Sequence, residues 1–398
     1  MGRRFRRILA LALLLVSLGE VLLLNWGALA RRGDPLSPGE WLLALLAALA
    51  INATVFPQAR ARVRATGMAL HISRVWILGS VAALLTGLLL AAIFLVAGSG
   101  GWLFGAHAAG RVASVWLGGI AVALGFGSVL WGSSVGSWRV QVDRVALPAR
   151  HLTPELRSLR IAHVTDLHIG PLLRPAMLRR FVSRINDLEP DLIVITGDLF
   201  DFDPECVDDG CRELARLRAR LGCFAVLGNH DVYTGAERVA AGLADLTRIR
   251  LLRDEWVQIE TGGTPLALAG LEDPGSDWSE RLAESRELAM LAADIPDDRP
   301  SILLAHRPSS FRHAAELGFP LVLSGHTHGG QIAVPGAHHQ NPSRLISRWT
   351  RGVFARGAST LYVNRGLGMA GLPLRINCPR EIALLQLEDE AAISATDA

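Results

Sequence analysis

The hydrophobic pattern divides the chain near residue 137. Before that point apolar residues form four long stretches, at about 8–30, 41–57, 75–98 and 112–135. A helix needs about 20 mainly apolar residues to cross a bilayer. The third and fourth stretches meet this comfortably, the first carries Glu20 with Asn25 near its end, and the second is the shortest. Residues 1–137 therefore read as an all-α transmembrane region of about four helices. Arg3, Arg4, Arg6 and Arg7 ahead of the first stretch also fit a signal peptide. Three further apolar stretches follow and no small-residue cleavage site stands out, so an uncleaved span is expected.

From residue 138 the pattern changes. Val140, Val142 and Val145 sit among Arg139, Gln141, Asp143 and Arg144, near-alternation that suits a half-buried strand. Apolar runs of strand length then recur in LRIAHVTDLH, PDLIVITGDLF, CFAVLGNHD, RPSILLAHRP and FPLVLSGHTH. Helix-like stretches lie between them, among them AMLRRFVSRINDL and CRELARLRARLG, the latter expected to end at Gly222. Strands alternating with helices predict an α/β domain over 138–390, its sheets covered by helices, with 391–398 as a disordered tail.

Composition supports the division. Half of the 398 residues are hydrophobic and only 19% are charged, a balance that places part of the chain in lipid. A net charge of +3 is too small to imply a nucleic-acid partner. All 40 basic residues are Arg, and they sit unevenly. Arg3, Arg4, Arg6 and Arg7 precede the first span, and Arg60, Arg62, Arg64 and Arg74 lie between the second and third. The alternate loops hold only Arg31, Arg32 and Arg111. Basic ends stay in the cytoplasm, so a multi-pass cell-membrane protein with a cytoplasmic C-terminal domain is expected. Cys206, Cys211, Cys223 and Cys378 form no CxxC pair, which argues against a zinc-thiolate site and for free, mostly buried thiols.

The chemistry concentrates just past the C-terminal ends of the expected strands, where α/β folds place their sites. Asp166-Leu-His168, Asp198 with Asp201, Asn229-His230-Asp231, His306, and His326-Thr-His328 each follow an apolar run. Residues two apart on an extended segment point to one side, so each Asp-x-His or His-x-His pair can reach one ion. Any one of these is common; five in succession are not. Two divalent cations about 3.5–4 Å apart clamp a phosphoryl group, and their mutual repulsion calls for a carboxylate between them, a role that suits Asp198. Mixed imidazole and carboxylate donors favour Mn, Fe, Zn or Co over Mg or Ca.

These segments, with GHTHGGQI and the tail GLGMAGLPLRINCPREIALLQL, resemble the calcineurin-like metallophosphoesterase superfamily. The likeness is strongest to its membrane-associated YkuE/YaeI-type phosphodiesterases and transmembrane proteins with a metallophosphoesterase domain. It covers about 138–390 and implies a four-layer αββα sandwich, closed at its end by a hairpin in that tail. The resemblance implies that Asp166, His168 and His328 hold a first metal, that Asn229, His306 and His326 hold a second, and that Asp198 bridges them. It also implies that His230 faces the phosphate as general acid, oriented by Asp231, with Asp201 steadying the site. Arg307 stands where the family pattern has Asn, and is expected to meet substrate charge.

The expected reaction is hydrolysis of a phosphodiester near the lipid surface by a metal-bridging hydroxide. A lipid-linked pyrophosphatase of the UDP-2,3-diacylglucosamine hydrolase type is the enzymatic alternative, although no lipid-binding lid is evident. A catalytically silent membrane sensor or scaffold is the non-enzymatic alternative. Few charges in the spans argue against a transporter.

Overall fold

A computed structural model of the chain describes residues 3–61, 68–104, 107–148, 154–276 and 285–388. The tail expected over 391–398 lies outside the described residues. The chain forms two compact units, one of Met1–Gly136 with Leu372–Ile376, the other of Ser137–Gly371 with Asn377–Ala398.

The first unit holds helices α1 (Arg3–Arg32), α2 (Pro38–Ala61), α3 (Met68–Phe104) and α4 (His107–Trp131), the last running into a π turn at Gly132–Gly136. Helices α1 to α3 each contain one of the apolar stretches and extend beyond it, α4 covers the fourth only together with its π turn, and all four are long and apolar enough to cross a membrane. The start of α2 is written in Ser37-Pro38-Gly39-Glu40. Glu40 Oε2 accepts from the Ser37 N–H (2.7 Å) and the Glu40 N–H donates to Ser37 Oγ (3.4 Å), with Pro38 suited to the first helical position. Small residues let helices approach: a Cβ on Gly87 of α3 would collide with Gly19 of α1. Glu20, isolated in sequence, accepts from Asn52 Nδ2 (2.9 Å), which also donates to Ser17 Oγ (3.0 Å). The outward faces carry exposed Leu43, Leu95 and Trp116, which suits lipid and not water.

The second unit contains two six-stranded sheets. The first joins β1 (Val140–Pro148), β2 (Arg160–Val164), β3 (Leu192–Thr196), β4 (Cys223–Val226), β5 (Ile249–Leu251) and β12 (Arg380–Glu388), in the order β1-β12-β2-β3-β4-β5. The second joins β6 (Glu255–Ile259), β7 (Leu266–Leu271), β8 (Ser301–Ala305), β9 (Leu321–Ser324), β10 (Gly352–Arg356) and β11 (Ser359–Val363), in the order β10-β11-β9-β8-β7-β6. The strands that carry the chemistry pair parallel with one another: β2 with β3, β3 with β4, and β8 with β9.

Three apolar clusters define the layers. Val194, Phe224 and Val226 of the first sheet pack with Leu268, Ile302 and Leu304 of the second. The first sheet's other face packs on α5 (Pro175–Asn186), α6 (Val207–Leu214) and α7 (Asn229–Leu246) through Phe181, Cys211 and Leu243. The second sheet's outer face meets α8 (Arg286–Asp294) and α9 (Phe311–Glu316) through Leu288, Leu291 and Phe311. This is the αββα arrangement. Strands buried on both faces explain why their sequences are apolar runs and not alternations.

Two local expectations differ from the structure. Helix α6 ends at Leu214 and not at Gly222. The Leu221 N–H donates to Asp191 O (2.7 Å) and the Ile193 N–H to Gly222 O (3.1 Å), which draws the chain out of the helix onto the edge of β3. The expected closing hairpin is a single strand: β12 runs parallel to β1 and antiparallel to β2, and irregular chain precedes it. All four cysteines are free.

Candidate metal centre

The five segments singled out in sequence follow the C-terminal ends of β2, β3, β4, β8 and β9. Their backbone is not extended, as the two-apart spacing suggested. Asp166 (φ 50°), His168 (φ 46°), Asp198 (φ 51°), His326 (φ 69°) and His328 (φ 51°) all occupy the left-handed region. Such residues each cost on the order of 1–3 kcal/mol and persist where the surroundings force them. Here the forcing groups are backbone bonds between turns. The Asp166 N–H donates to Gly197 O (3.0 Å), His168 N–H to Asp198 O (3.0 Å), and Gly325 N–H to His306 O (3.0 Å). The side chains converge through these turns, with a fully buried Leu167 between Asp166 and His168.

Among the described residues, three groups of side chains could each hold a metal ion: Asp166, His168 and His328; His168, Asp198 and His230; and Asp198, His306 and His326. His168 Nε2 lies 3.0 Å from His328 Nε2, and His306 Nε2 lies 3.1 Å from His326 Nδ1. Asp166 Oδ1 is 3.3 Å from His328 Nε2. Asp198 Oδ2 is 3.5 Å from His168 Nε2 and 3.3 Å from His306 Nε2, so one carboxylate reaches both imidazole pairs. His306 Nδ1 faces Thr196 O at 2.8 Å. A carbonyl only accepts, so Nδ1 carries the proton and Nε2 is turned inward. Asn229 is fully buried beside them. The nearby Tyr233 hydroxyl donates to Ser276 O (2.7 Å) and interacts with the Asn229 side chain.

Burial opposes the charges of His168, His306, Asp198 and Asp201, and their neighbours offset it, whereas burial, with the Asp198 charge adding to it, raises the pKa of Asp166. Desolvation would lower the pKa of His168, but Asp201, Asp198 and Asp166 raise it to about 9. Desolvation likewise acts on His306, and Asp198 and Asp166 bring it to about 10. Asp198 would be raised by burial, yet His306, His230 and His168 hold it well below the usual carboxylate range. Asp201 is brought to about 2 by His168 and His230 against its own desolvation.

His230 sits at the mouth of the cluster. Its N–H donates to Asp198 Oδ1 (2.8 Å) and its Nδ1 lies 3.0 Å from Asp201 Oδ1. The carboxylate that orients it is thus Asp201 and not Asp231. Asp231 accepts from the N–H groups of Gly228 (2.9 Å), Phe200 (2.9 Å) and Leu199 (3.2 Å), tying the turns after β3 and β4 together. Burial, with Asp198 adding to it, raises its pKa to about 7. Arg307 also departs from expectation. It is buried, its Nε 2.6 Å from Asp273 Oδ2, and its NH2 donates to Ser276 O (2.8 Å). That guanidinium anchors the segment 273–276.

The calcineurin-like phosphoesterase family matches residues 159–330, which include all five segments. A metallophosphoesterase of Aquifex aeolicus is 32% identical over 64% of this chain, and the match covers 95% of that protein. The chain belongs to the calcineurin-like metallophosphoesterase family. YkuE of Bacillus subtilis, also named a metallophosphoesterase, is 30% identical over 58% of this chain and 79% of its own. A Bos taurus transmembrane protein with metallophosphoesterase domain is 32% identical over 62% of this chain, but the match spans only 57% of its length.

A metallophosphoesterase site also needs support from residues that carry no chemistry of their own, and these do not stand out in the sequence. The segment Asn364–Gly368, after β11, backs the Asp166 turn: the Leu367 N–H donates to Thr165 O (3.1 Å) and Gly368 N–H to Asp166 O (2.6 Å). A Cβ at Gly366 would meet the Asp166 side chain, and one at Gly368 would meet backbone of Asp166 and Leu167. The Gly-x-Gly spacing is the available signal, a faint one because no ionisable side chain marks it.

Proposed function

We propose that this chain is a membrane-anchored phosphodiesterase with two divalent cations held by seven side chains. Asp166, His168 and His328 hold one, Asn229, His306 and His326 the other, and Asp198 both. The observation that carries the reading is the pair of imidazole contacts, one buried at 3.0 Å and one part-buried at 3.1 Å, flanking one ionised carboxylate. Facing imidazole nitrogens, a shared carboxylate and a buried amide form a donor set that fits Mn, Fe, Zn or Co. Cations bound there supply charge neutralisation on the phosphoryl group and acidification of water. His230, its Nδ1 fixed by Asp201, keeps Nε2 to pass a proton to the departing oxygen. Thr196 O aims His306. The catalytic domain spans 138–390 and is cytoplasmic, after four spans over 1–137.

The test is turnover by the purified full chain in detergent. With Mn, Fe or Zn added, it should hydrolyse bis(4-nitrophenyl) phosphate, and EDTA should remove the activity. A cation-loaded protein that cleaves neither diesters nor lipid pyrophosphates overturns the proposal in favour of a silent scaffold.

Cation loading should depend on pH in a definite direction. With His168 at about 9 and His306 at about 10, both imidazoles hold protons at neutral pH in the cation-free chain. Binding must displace them, so affinity rises with pH, about tenfold per unit for each proton released. Calorimetry in buffers of different ionisation heat should record proton release on Mn addition. An affinity flat between pH 6 and 8 would contradict these assignments.

A further inference from the structure

We propose that Phe202 and Tyr233 form an apolar platform for the substrate's leaving group and so select esters of apolar alcohols, which rests on the assignment of His230 as proton donor. Phe202 follows Asp201, the partner of His230, and has φ 59°, a left-handed backbone unusual for a bulky side chain. That conformation places its ring 4.6 Å from the His230 ring and stacks it on Tyr233, with centroids 5.7 Å apart and planes 8° from parallel. The Tyr233 ring lies 5.4 Å from His230, and its hydroxyl is fixed on Ser276 O. Both rings are half-buried, whereas the groups deeper in the site are carboxylates, imidazoles and an amide.

Position decides what such a surface meets. A leaving oxygen that takes a proton from His230 must come within about 2.6–3.2 Å of the imidazole. The carbon skeleton attached to that oxygen then falls within reach of the two rings beside it. The retained half of the diester is not held to His230 in this way. A third ring inserted between two others needs about 7 Å between them, twice the carbon contact distance. The 5.7 Å spacing excludes this, so the pair acts as a platform and not as tweezers. The shared chemistry it recognises is apolar surface, whether of an aryl group or of a lipid chain.

The experiment measures kcat/KM for methyl phosphodiesters whose leaving phenols match in acidity and differ in apolar area. A second series varies the retained group from methyl to phenyl. The wild type should prefer the larger phenol, and Phe202→Ala and Tyr233→Leu should each shrink that preference about tenfold. The loss should fall on KM, and the preference among retained groups should not change. A diester releasing octanol shows whether the platform also takes a lipid-like chain. Equal losses on all substrates would overturn the platform and leave the phosphodiesterase reading standing. Binding of benzylphosphonate against methylphosphonate to the Mn-loaded protein is read separately by calorimetry. A benzyl preference that Phe202→Ala removes, in a protein without turnover, keeps the platform and overturns the phosphodiesterase reading. Neither turnover nor benzyl preference overturns both.

Discussion

Replacing Asp198 by Asn is expected to lower kcat/KM by about 10³-fold or more and to strip cations from the purified chain. The side chain is shared by two of the three possible metal-holding groups. Its Oδ2 lies within 3.5 Å of both imidazole pairs, and its Oδ1 accepts the His230 N–H. An amide removes the negative charge that offsets two repelling cations, and it turns one acceptor into a donor facing imidazole nitrogens. The same charge raises the pKa of His168 and His306, so both should titrate closer to neutrality in Asp198→Asn, which NMR of the cation-free protein can follow. Elemental analysis of wild type and variant at equal folding, checked by circular dichroism, decides the outcome. Two cations retained with kcat/KM within tenfold would refute the shared-ligand role. Two cations retained with activity lost would mean that Asp198 acts chiefly by anchoring the His230 turn.

The site was more legible in sequence than the turns that build it. Five polar segments that end apolar runs could be singled out, because carboxylates, imidazoles and amides there are costly unless something binds them, and the family resemblance marked Asp166, His168, Asp198, Asn229, His306, His326 and His328 among them as ligands. The layering was legible too, since fully apolar strands such as Leu192–Thr196 need cover on both faces. The backbone between the ligands was not. Spacing alone suggested extended Asp-x-His and His-x-His pairs, but tertiary bonds such as Asp166 N–H to Gly197 O impose left-handed turns. Nor could adjacency identify the partner of His230: Asp231 is next in sequence, whereas Asp201 comes from another strand end 29 residues away. Arg307 misled in the same way, because Asp273, its buried partner, lies 34 residues off with no local mark.

Removing the imidazole of His230 should separate proton transfer from cation binding. Under the proposed assignment His230→Ala lowers kcat by about 10²–10⁴-fold for diesters of poorly acidic alcohols, as expected for loss of a general acid. A nitrophenol leaves without needing a proton, so the loss should be much smaller on bis(4-nitrophenyl) phosphate. Cation content should stay intact, and this point is at risk, because His230 also belongs to a possible metal-holding group with His168 and Asp198. A variant that loses a cation would make His230 a ligand. Asp201→Asn should copy the effect more weakly, about 10–100-fold, with the same dependence on the leaving group, because it acts through Nδ1 of His230. Asp231→Asn should behave differently. Its carboxylate accepts three backbone N–H groups, and an amide there turns one acceptor into a donor facing them. It should lower the melting temperature and reduce turnover of all leaving groups alike. Were Asp231→Asn instead to reproduce the leaving-group dependence of His230→Ala, and Asp201→Asn not, the orienting role would return to Asp231.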